Sequence, residues 1–352
     1  MDRKSTESYG NEAVSHRRLS SVDALERYRR KRRDRRKLSF LRAASLLAVT
    51  ILVFANNVHT APVSTADADI PCWQDPSEQV LFDGKQGDLP EDVVARNVYV
   101  TCVDEGMVVF DRRSDEKIAP ASTAKMATAL TAMELLSLDE EVVIGDEINL
   151  IAEESSRAWL AAGNVLTVRQ LLVALLVPSG NDSAYSLAVH AGKRILDNER
   201  ASIDQAVDAF MERVNAKAEA LGLHDSHFVV PDGFDAKGQY STARDLAVLA
   251  KACLDNPVLA EIVATSESVE CWKSGGTATL HNTNALIDPS SPYYMPEAIG
   301  VKTGNTDLAG SCLVSAALIS GKTYICVVMG SEGEQRFHDS IELYEAIRSK
   351  AA

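Results

Sequence analysis

The sequence lacks the cysteine and histidine spacings by which proteins hold zinc or carry out dithiol redox chemistry. No C-x-x-C pair occurs among its 352 residues, and no Cys/His cluster has zinc-ligand spacing. We therefore expect no metal site, no cofactor and no catalytic cysteine. Disulfides can form if the chain is exported, but the spacing does not reveal their pairing. The cysteines are Cys72, Cys102, Cys253, Cys271, Cys312 and Cys326, of which we expect the last two to lie buried in neighbouring strands.

Basic residues are scarce outside the N-terminus. Residues 1–37 carry 13 Lys/Arg and 6 Asp/Glu, whereas the rest of the chain carries 23 Lys/Arg and 44 Asp/Glu. Nucleic-acid binding depends mainly on basic side chains that neutralise phosphates. The acidic body of the chain therefore argues against nucleic acid as a partner.

Only one long hydrophobic run occurs. Ala43–Ala55 contains no charged residue, and it comes after the stretch Arg27–Lys37, in which nine of eleven residues are basic. Basic residues before an apolar run keep the N-terminus in the cytoplasm and direct the downstream chain across the membrane. Thirteen apolar residues are few for a membrane span, but the preceding tail is long for a signal peptide. These features slightly favour a retained signal anchor over cleavage.

The charge and hydropathy patterns divide the chain into four parts. We expect a cytoplasmic basic tail at 1–37, a signal peptide or signal-anchor segment at 38–58, an extracytoplasmic spacer at 59–92 and a catalytic domain at 93–350. The N-terminal segment would hold the protein on the extracytoplasmic face of the cytoplasmic membrane. If the segment is cleaved, the protein is instead secreted to the cell wall.

Hydrophobic periodicity predicts an α+β domain built from both ends of the catalytic part. Two strand-like runs begin near Asn97, and three more occur from about 297, before a final helix at 339–351. The stretch from about 140 to 295 is mostly helical. We therefore predict one antiparallel sheet with an inserted helical lobe.

Three short peptides in a fixed order carry the chemistry: Ser122-Thr-Ala-Lys125, Ser179-Gly-Asn181 and Lys302-Thr-Gly304. A spacing of three residues places a hydroxyl and an amine on one face of a helix. A desolvated lysine can then serve as the base that a weakly nucleophilic serine needs. The set S-x-x-K, S-D-N and K-T-G is shared by class A β-lactamases and penicillin-binding proteins, and this chain has Ser-Gly-Asn as its middle motif.

The first motif has a competitor and an alternative explanation. Ser114-Asp-Glu-Lys117 has the same spacing, but it lies in a charged stretch that predicts a solvated turn. Ser122 instead precedes a segment whose apolar residues recur at helical spacing. Taken alone, Ser122 would be interpreted as a helix N-cap, and only the other two motifs favour a nucleophile.

With these motifs the chain resembles the D-alanyl-D-alanine carboxypeptidases, the low-molecular-mass penicillin-binding proteins of peptidase family S11. The resemblance covers about residues 92–350 and includes Leu176-Val-Pro-Ser-Gly-Asn-Asp and Tyr240-Ser-Thr-Ala-Arg-Asp-Leu. It implies a fold like that of serine β-lactamases, in which helices flank a five-stranded antiparallel sheet beside an all-helical lobe. It also implies peptidoglycan stem peptides ending in D-Ala-D-Ala as substrates and β-lactams as covalent inhibitors.

The resemblance implies a role for each motif residue. Ser122 would be the acyl-ester nucleophile and Lys125 its base. Ser179 would relay a proton to the leaving amine, and Asn181 would orient Lys125 or bind the substrate amide. Backbone N–H groups of Ser122 and Asn305 would form the oxyanion hole.

Substrate binding is implied for the third motif and one arginine. Lys302 and Thr303 would meet the free carboxylate of the substrate, and Gly304 would let the substrate backbone approach the strand. Arg336 matches a family arginine near this carboxylate, although a solvated surface arginine is an equal alternative. Asn305 comes after the Lys-Thr-Gly motif at a position where the family varies.

Several other interpretations remain open. A serine β-lactamase would share the acylation step, but the E-x-x-L-N segment of class A is absent. A β-lactam sensor or scaffold would bind without turnover, and a D,D-endopeptidase would use the same site on cross-links. His224 and His227 resemble a metal pair, but the resemblance implies a structural role. We expect His281 and Asn284 to pack near the lobe boundary, without a catalytic function.

Overall fold

The computed structural model describes residues 88–351 of the chain. The predicted basic tail, the predicted membrane segment and the spacer up to residue 87 lie outside the described residues. Within the described range, no helix combines the length and the apolar character that crossing a membrane requires.

Nine strands and seven α-helices make up the described part of the chain. The strands are β1 (Asn97–Cys102), β2 (Met107–Arg112), β3 (Glu141–Val143), β4 (Val165–Thr167), β5 (Glu267–Cys271), β6 (Thr277–His281), β7 (Ala298–Thr306), β8 (Gly310–Ile319) and β9 (Lys322–Ser331). The helices are α1 (Lys125–Leu135), α2 (Val168–Leu176), α3 (Asn181–Ile195), α4 (Ile203–Ala220), α5 (Ala243–Asp255), α6 (Pro257–Val263) and α7 (Gln335–Ala351).

The central sheet has the strand order β2-β1-β9-β8-β7, and all of its neighbours are antiparallel. Strands from the two ends of the domain meet between β1 and β9, where Val98 pairs with Val328. This arrangement confirms the predicted α+β class and the predicted five-stranded antiparallel sheet. The third motif lies on β7, so its Lys-Thr-Gly peptide occupies an edge of the sheet.

The sheet buries both of its faces because successive strand side chains point to opposite sides. On β9, Val328 packs in the same apolar cluster as Tyr344 of α7, whereas Val327 joins the cluster that contains Leu246 of α5. Helices therefore cover both faces of the central sheet. The two apolar clusters, one on each face, together hold β7 in position.

The insertion between β2 and β7 is mainly helical, and local sequence defines where its helices begin. Thr167 and Ser202 cap α2 and α4, and each forms a capping box with a glutamine three residues later. Besides the helices, the insertion carries two small antiparallel sheets, β3–β4 and β5–β6.

Ser114 departs from its predicted solvated turn. Its side chain is buried, and its hydroxyl donates to Asp111 Oδ2 at 2.8 Å. Arg244 joins the same group by donating to both residues. The charged side chains around Ser114 satisfy one another, so the stretch folds inward although its composition is polar. Lys117 is instead paired with Asp225, so the lysine of this second S-x-x-K sequence is engaged elsewhere.

The structure also defines the positions of Cys312, Cys326, His281 and Asn284. Cys312 and Cys326 are both buried, as expected, but they belong to the cores on opposite faces of the sheet. His281 is exposed beside Glu267, whereas Asn284 is buried and accepts a hydrogen bond from the Leu286 N–H at 3.1 Å.

Candidate active site

Ser122 lies in a short 3₁₀ turn, Ala121–Ala124, that runs directly into α1. The turn and the helix keep Ser122 and Lys125 one turn apart, and Lys125 Nζ lies 2.7 Å from Ser122 Oγ. Neither element has a side-chain cap. The alternative interpretation of Ser122 as a helix N-cap is therefore wrong, because its hydroxyl faces the lysine amine.

The amine of Lys125 is completely buried and has three oxygen partners. Besides Ser122 Oγ, Nζ donates to Asn181 Oδ1 and to the Asp232 carbonyl oxygen, each at 2.7 Å. Burial lowers the pKa of Lys125 to about 8, although the charges of Asp232 and Asp182 act in the opposite direction. About a tenth of the amine is therefore neutral at pH 7 and available to accept a proton from Ser122.

The second motif lies at the junction of α2 and α3. Pro178 comes just after the end of α2, and Ser179 adopts a left-handed backbone with a φ of 66°. The helix α3 then starts at Asn181, so its first turn carries the amide that binds Lys125. Ser179 is buried and lines the cleft over Ser122.

Asp232 is a site residue that none of the sequence motifs indicated. Its carboxylate accepts a hydrogen bond from Asn181 Nδ2 at 2.9 Å, and this contact turns Asn181 Oδ1 toward Lys125. The same carboxylate accepts from the Phe234 N–H at 3.0 Å. The only local signal was the turn-forming sequence Pro231-Asp232-Gly233.

Gly233 explains how this loop reaches the nucleophile. Its φ is 78°, and a Cβ atom built there would lie 2.0 Å from the Ala121 carbonyl oxygen. Because only glycine tolerates both the conformation and the contact, the loop packs directly on the turn that holds Ser122.

The third motif brings the edge strand β7 against the same turn. A Cβ atom on Gly304 would lie 2.9 Å from Ala121 Cβ and 3.1 Å from the Ser122 backbone nitrogen. The absence of a side chain therefore leaves the space over Ser122 open to a substrate. Thr303 and Asn305 line this space, and their side chains are hydrogen-bonded to Thr283 and Ser311.

Lys302 is predicted to meet the substrate carboxylate, and this role stays a prediction. Its side chain is buried, Nζ donates to the Thr303 carbonyl oxygen at 3.0 Å, and Lys302 is not among the residues that line the cleft. Burial, together with the positive charges of Lys125 and Arg336, holds the pKa of Lys302 well below its ordinary value. Lys302 thus adds to the electrostatics beneath the cleft rather than to its surface.

Arg336 lies at the cleft surface, which argues against the solvated-arginine alternative. It donates to the Gly304 carbonyl oxygen at 3.3 Å, and its guanidinium stacks on Phe337 at 4.9 Å. Burial lowers the pKa of Arg336. Its Nε is buried without an acceptor, and no salt bridge is formed within the described residues. The group is therefore held in place with unused capacity to bind an anion.

The three motifs converge on one cleft of about 210 Å³. Its walls also include residues that lie outside the motifs. The lining residues are Ser122, Glu154, Ser155, Ser156, Ser179, Asn181, Phe234, Thr283, Thr303, Gly304, Asn305, Thr306 and Arg336.

Residues 88–351 contain no group of three or more His, Cys, Asp or Glu side chains that could hold a metal ion. His227 instead exchanges two backbone hydrogen bonds with Tyr240. The side chains that line the cleft offer hydroxyl, amide, carboxylate and guanidinium groups to a substrate.

Comparisons with known proteins agree with this geometry. The family profile described as D-alanyl-D-alanine carboxypeptidase, peptidase S11, matches residues 85–333. A D-alanyl-D-alanine carboxypeptidase from Streptomyces sp. (strain K15) is 35% identical over 235 residues, which cover 64% of this chain and 77% of that protein. The carboxypeptidase DacF of Bacillus subtilis (strain 168) is 30% identical over 65% of this chain, but this span is only 55% of DacF.

Solved structures show the same relationship. The crystal structure of the Streptomyces K15 DD-transpeptidase matches with a TM-score of 0.66 and 32% identity, over 74% of this chain and 98% of that one. A penicillin-binding protein homologue of Mycobacterium tuberculosis, Rv2911, matches with a TM-score of 0.63 and 29% identity, over 74% of this chain and 94% of that one. The predicted fold is therefore confirmed, and the chain belongs to the D-alanyl-D-alanine carboxypeptidases, the serine peptidases of family S11.

Proposed function

We propose that this protein removes the terminal D-Ala from peptidoglycan stem peptides ending in D-Ala-D-Ala, through an acyl-enzyme on Ser122. The observation that carries the proposal is the 2.7 Å contact between Ser122 Oγ and the buried amine of Lys125. It pairs a nucleophile with a base inside a cleft whose open side is the edge of a β-sheet.

Acylation begins when neutral Lys125 accepts the Ser122 proton as Oγ attacks the carbonyl carbon of the scissile bond. The negative charge that develops on the carbonyl oxygen is held by the backbone N–H groups of Ser122 and Asn305. The C–N bond then breaks, and the leaving D-Ala amine receives a proton through Ser179. Water afterwards hydrolyses the ester and restores Ser122.

The substrate is oriented by the edge strand and by its own terminal carboxylate. An extended peptide can align along β7, where Gly304 presents no side chain. Arg336 is the cation on the cleft surface, and it can form charge-assisted hydrogen bonds to the carboxylate. Beside Arg336, Thr303 can donate a hydrogen bond from its hydroxyl group. Buried Lys302 acts through its electrostatic field.

The same nucleophile accounts for β-lactam binding, because a β-lactam carbonyl can acylate Ser122 in place of the peptide. A serine β-lactamase and a non-turnover sensor or scaffold differ from the proposal in the fate of the acyl-enzyme. An endopeptidase differs in its substrate, and a D-alanyl-D-alanine endopeptidase of Pseudomonas aeruginosa is 30% identical to this chain over 261 residues. Release of D-Ala, hydrolysis of a cephalosporin and cleavage of a cross-linked peptide dimer separate these activities.

We also propose that the catalytic domain acts outside the cytoplasmic membrane, held there by the N-terminal segment. Support comes from the basic stretch Arg27–Lys37 before apolar Ala43–Ala55, which has the orientation of an exported protein. Protease added to intact spheroplasts should digest the domain, whereas full protection would contradict this location.

The decisive experiment incubates the purified protein with Nα,Nε-diacetyl-Lys-D-Ala-D-Ala and measures free D-Ala. Ser122→Ala should abolish both D-Ala release and covalent labelling by penicillin, with an unchanged circular dichroism spectrum. Ser114→Ala is the matched control, since its hydroxyl donates to Asp111 and the lysine of its S-x-x-K sequence pairs with Asp225. Undiminished release by Ser122→Ala would refute the proposal, and repeated turnover of a chromogenic cephalosporin would favour the β-lactamase.

A further inference from the structure

Residues 152–160, the cleft loop, supply a wall of the cleft that none of the three motifs accounts for. Glu154, Ser155 and Ser156 of this loop line the cleft. The Ser156 carbonyl oxygen accepts a hydrogen bond from the Asn181 N–H at 2.9 Å. The loop is therefore attached directly to the residue that orients Lys125.

A buried carboxylate holds the far end of the cleft loop. Asp182 accepts hydrogen bonds from the Ala158 N–H at 3.0 and 3.1 Å and from the Leu160 N–H at 3.0 Å. Trp159 lies between these two anchored residues, with a φ of 61° and a side chain that is 82% exposed. The backbone is thus fixed in an uncommon conformation while a large apolar side chain faces solvent.

Glu154 and Arg336 are the only charged side chains among the cleft-lining residues of the described structure. Glu154 is exposed, and within residues 88–351 its carboxylate has neither a hydrogen bond nor an ion pair. Beside it, the Ser155 hydroxyl is buried without a partner. The cleft wall therefore carries one cation and one anion that are not paired with an opposite charge within the described residues.

This charge arrangement matches a ligand with a carboxylate at one point and an ammonium group at another. In the proposed function, Arg336 receives the terminal carboxylate and Ser122 receives the scissile carbonyl. The Cα atom of the residue before the D-Ala-D-Ala pair then lies about 5 Å from the scissile carbonyl carbon. A long side chain on that residue can extend to the cleft loop, where its end can meet Glu154.

We propose that Glu154 binds an ammonium group on the side chain of the residue that precedes D-Ala-D-Ala, so that the enzyme prefers stem peptides with a free diamino-acid side chain. This inference rests on the proposed function and adds a specificity determinant to it. Acetylation of that amine removes the charge that Glu154 recognises, but it leaves the scissile bond and the terminal carboxylate unchanged.

The test compares kcat/KM for Nα-acetyl-Lys-D-Ala-D-Ala, whose ε-amine is free, with kcat/KM for the Nα,Nε-diacetyl peptide. We expect the wild-type protein to prefer the free amine about threefold to fivefold, the range of a solvent-exposed ion pair. The preference should decrease in about 0.5 M NaCl because salt screens exposed charges. Glu154→Gln should reduce the ratio to about one, and Glu154→Asp should restore part of it.

Glu153→Gln is the matched control, since Glu153 is an exposed neighbour on the same loop that does not line the cleft. It should retain the wild-type ratio, whereas loss of the ratio in this variant would show a general effect of loop charge and overturn the inference. A wild-type ratio of one, or a ratio that Glu154→Gln leaves intact, would overturn it as well. Failure of the wild-type protein to cleave either peptide would instead refute the proposed function.

Discussion

Removing the charge of Asp232 should move the pH dependence of acylation. The Asp232 carboxylate binds Asn181 Nδ2, and its charge raises the pKa of Lys125 against the larger effect of burial. Asp232→Asn preserves the size of the side chain and an oxygen acceptor for Asn181. The substitution therefore tests the charge rather than the packing.

The size of the effect can be worked out from the geometry. Asn181 bridges the two groups by contacts of 2.7 Å to Lys125 and 2.9 Å to Asp232, which puts the two charges about 7 Å apart. At an effective dielectric constant of about 20, this separation corresponds to about 2 kcal/mol, or a pKa change of about 1 to 2. Loss of the negative charge favours the neutral amine, so the pKa of Lys125 should decrease from about 8 to about 6 or 7.

The assay measures the second-order rate of Ser122 acylation by a fluorescent penicillin between about pH 5 and pH 9. The acidic limb of the profile should move to lower pH by about 1 to 2 in Asp232→Asn, because the base is neutral at lower pH. Asp235→Asn is the control, since that carboxylate binds Thr306 and the Leu308 N–H on the neighbouring loop. A limb that does not move, or that moves to higher pH, would refute the reasoning, even if the rate decreases at every pH.

Three further substitutions test other parts of the site and fold. Gly304→Ala should decrease the rate of Ser122 acylation at least about tenfold without unfolding the protein, since the new Cβ atom would lie 3.1 Å from the Ser122 backbone nitrogen. A normal acylation rate would contradict the close approach of β7 to this nitrogen. Arg336→Leu should raise KM for D-Ala-D-Ala peptides about 10- to 100-fold, the effect of losing a charge-assisted hydrogen bond, whereas an equal rise for a peptide with an amidated C-terminus would argue against carboxylate binding. Asp339→Asn should lower the free energy of unfolding, measured in urea, by about 2 kcal/mol, because the buried carboxylate accepts hydrogen bonds from the Val94 and Ala95 N–H groups. An unchanged midpoint of the urea unfolding curve would contradict that role.

Local sequence patterns were sufficient to predict the strands and helices of the domain and its fold class. Runs rich in β-forming residues around glycine-containing turns predicted the strands at both ends of the domain, and Pro178 predicted the helix end that places Ser179 in a loop. These signals act over a few residues, so they can be recognised without knowledge of the tertiary structure. The order of strands and helices predicted that strands from both ends of the domain join in one sheet. The pairing of β1 with β9 confirms this prediction.

Burial of polar residues could not be predicted in the same way. Ser114 looked solvated because its neighbours are charged, yet Arg244 from a distant helix neutralises the group and encloses it. Lys302 is likewise buried, which its implied contact with the substrate carboxylate did not indicate. In both cases the environment is set by side chains that are distant in sequence, which no local pattern encodes.

Asp232 shows most clearly that the active site depends on residues outside the three motifs. The three motifs contain the atoms that react, but the orientation of Asn181 depends on a carboxylate 51 residues farther along the chain. That carboxylate can approach only because Gly233 lies against the Ala121 carbonyl oxygen without a side chain. Gly304 makes the equivalent approach from β7 to the Ser122 nitrogen. The spacing within each motif thus fixes local geometry, whereas these two glycine contacts fix how the motifs meet.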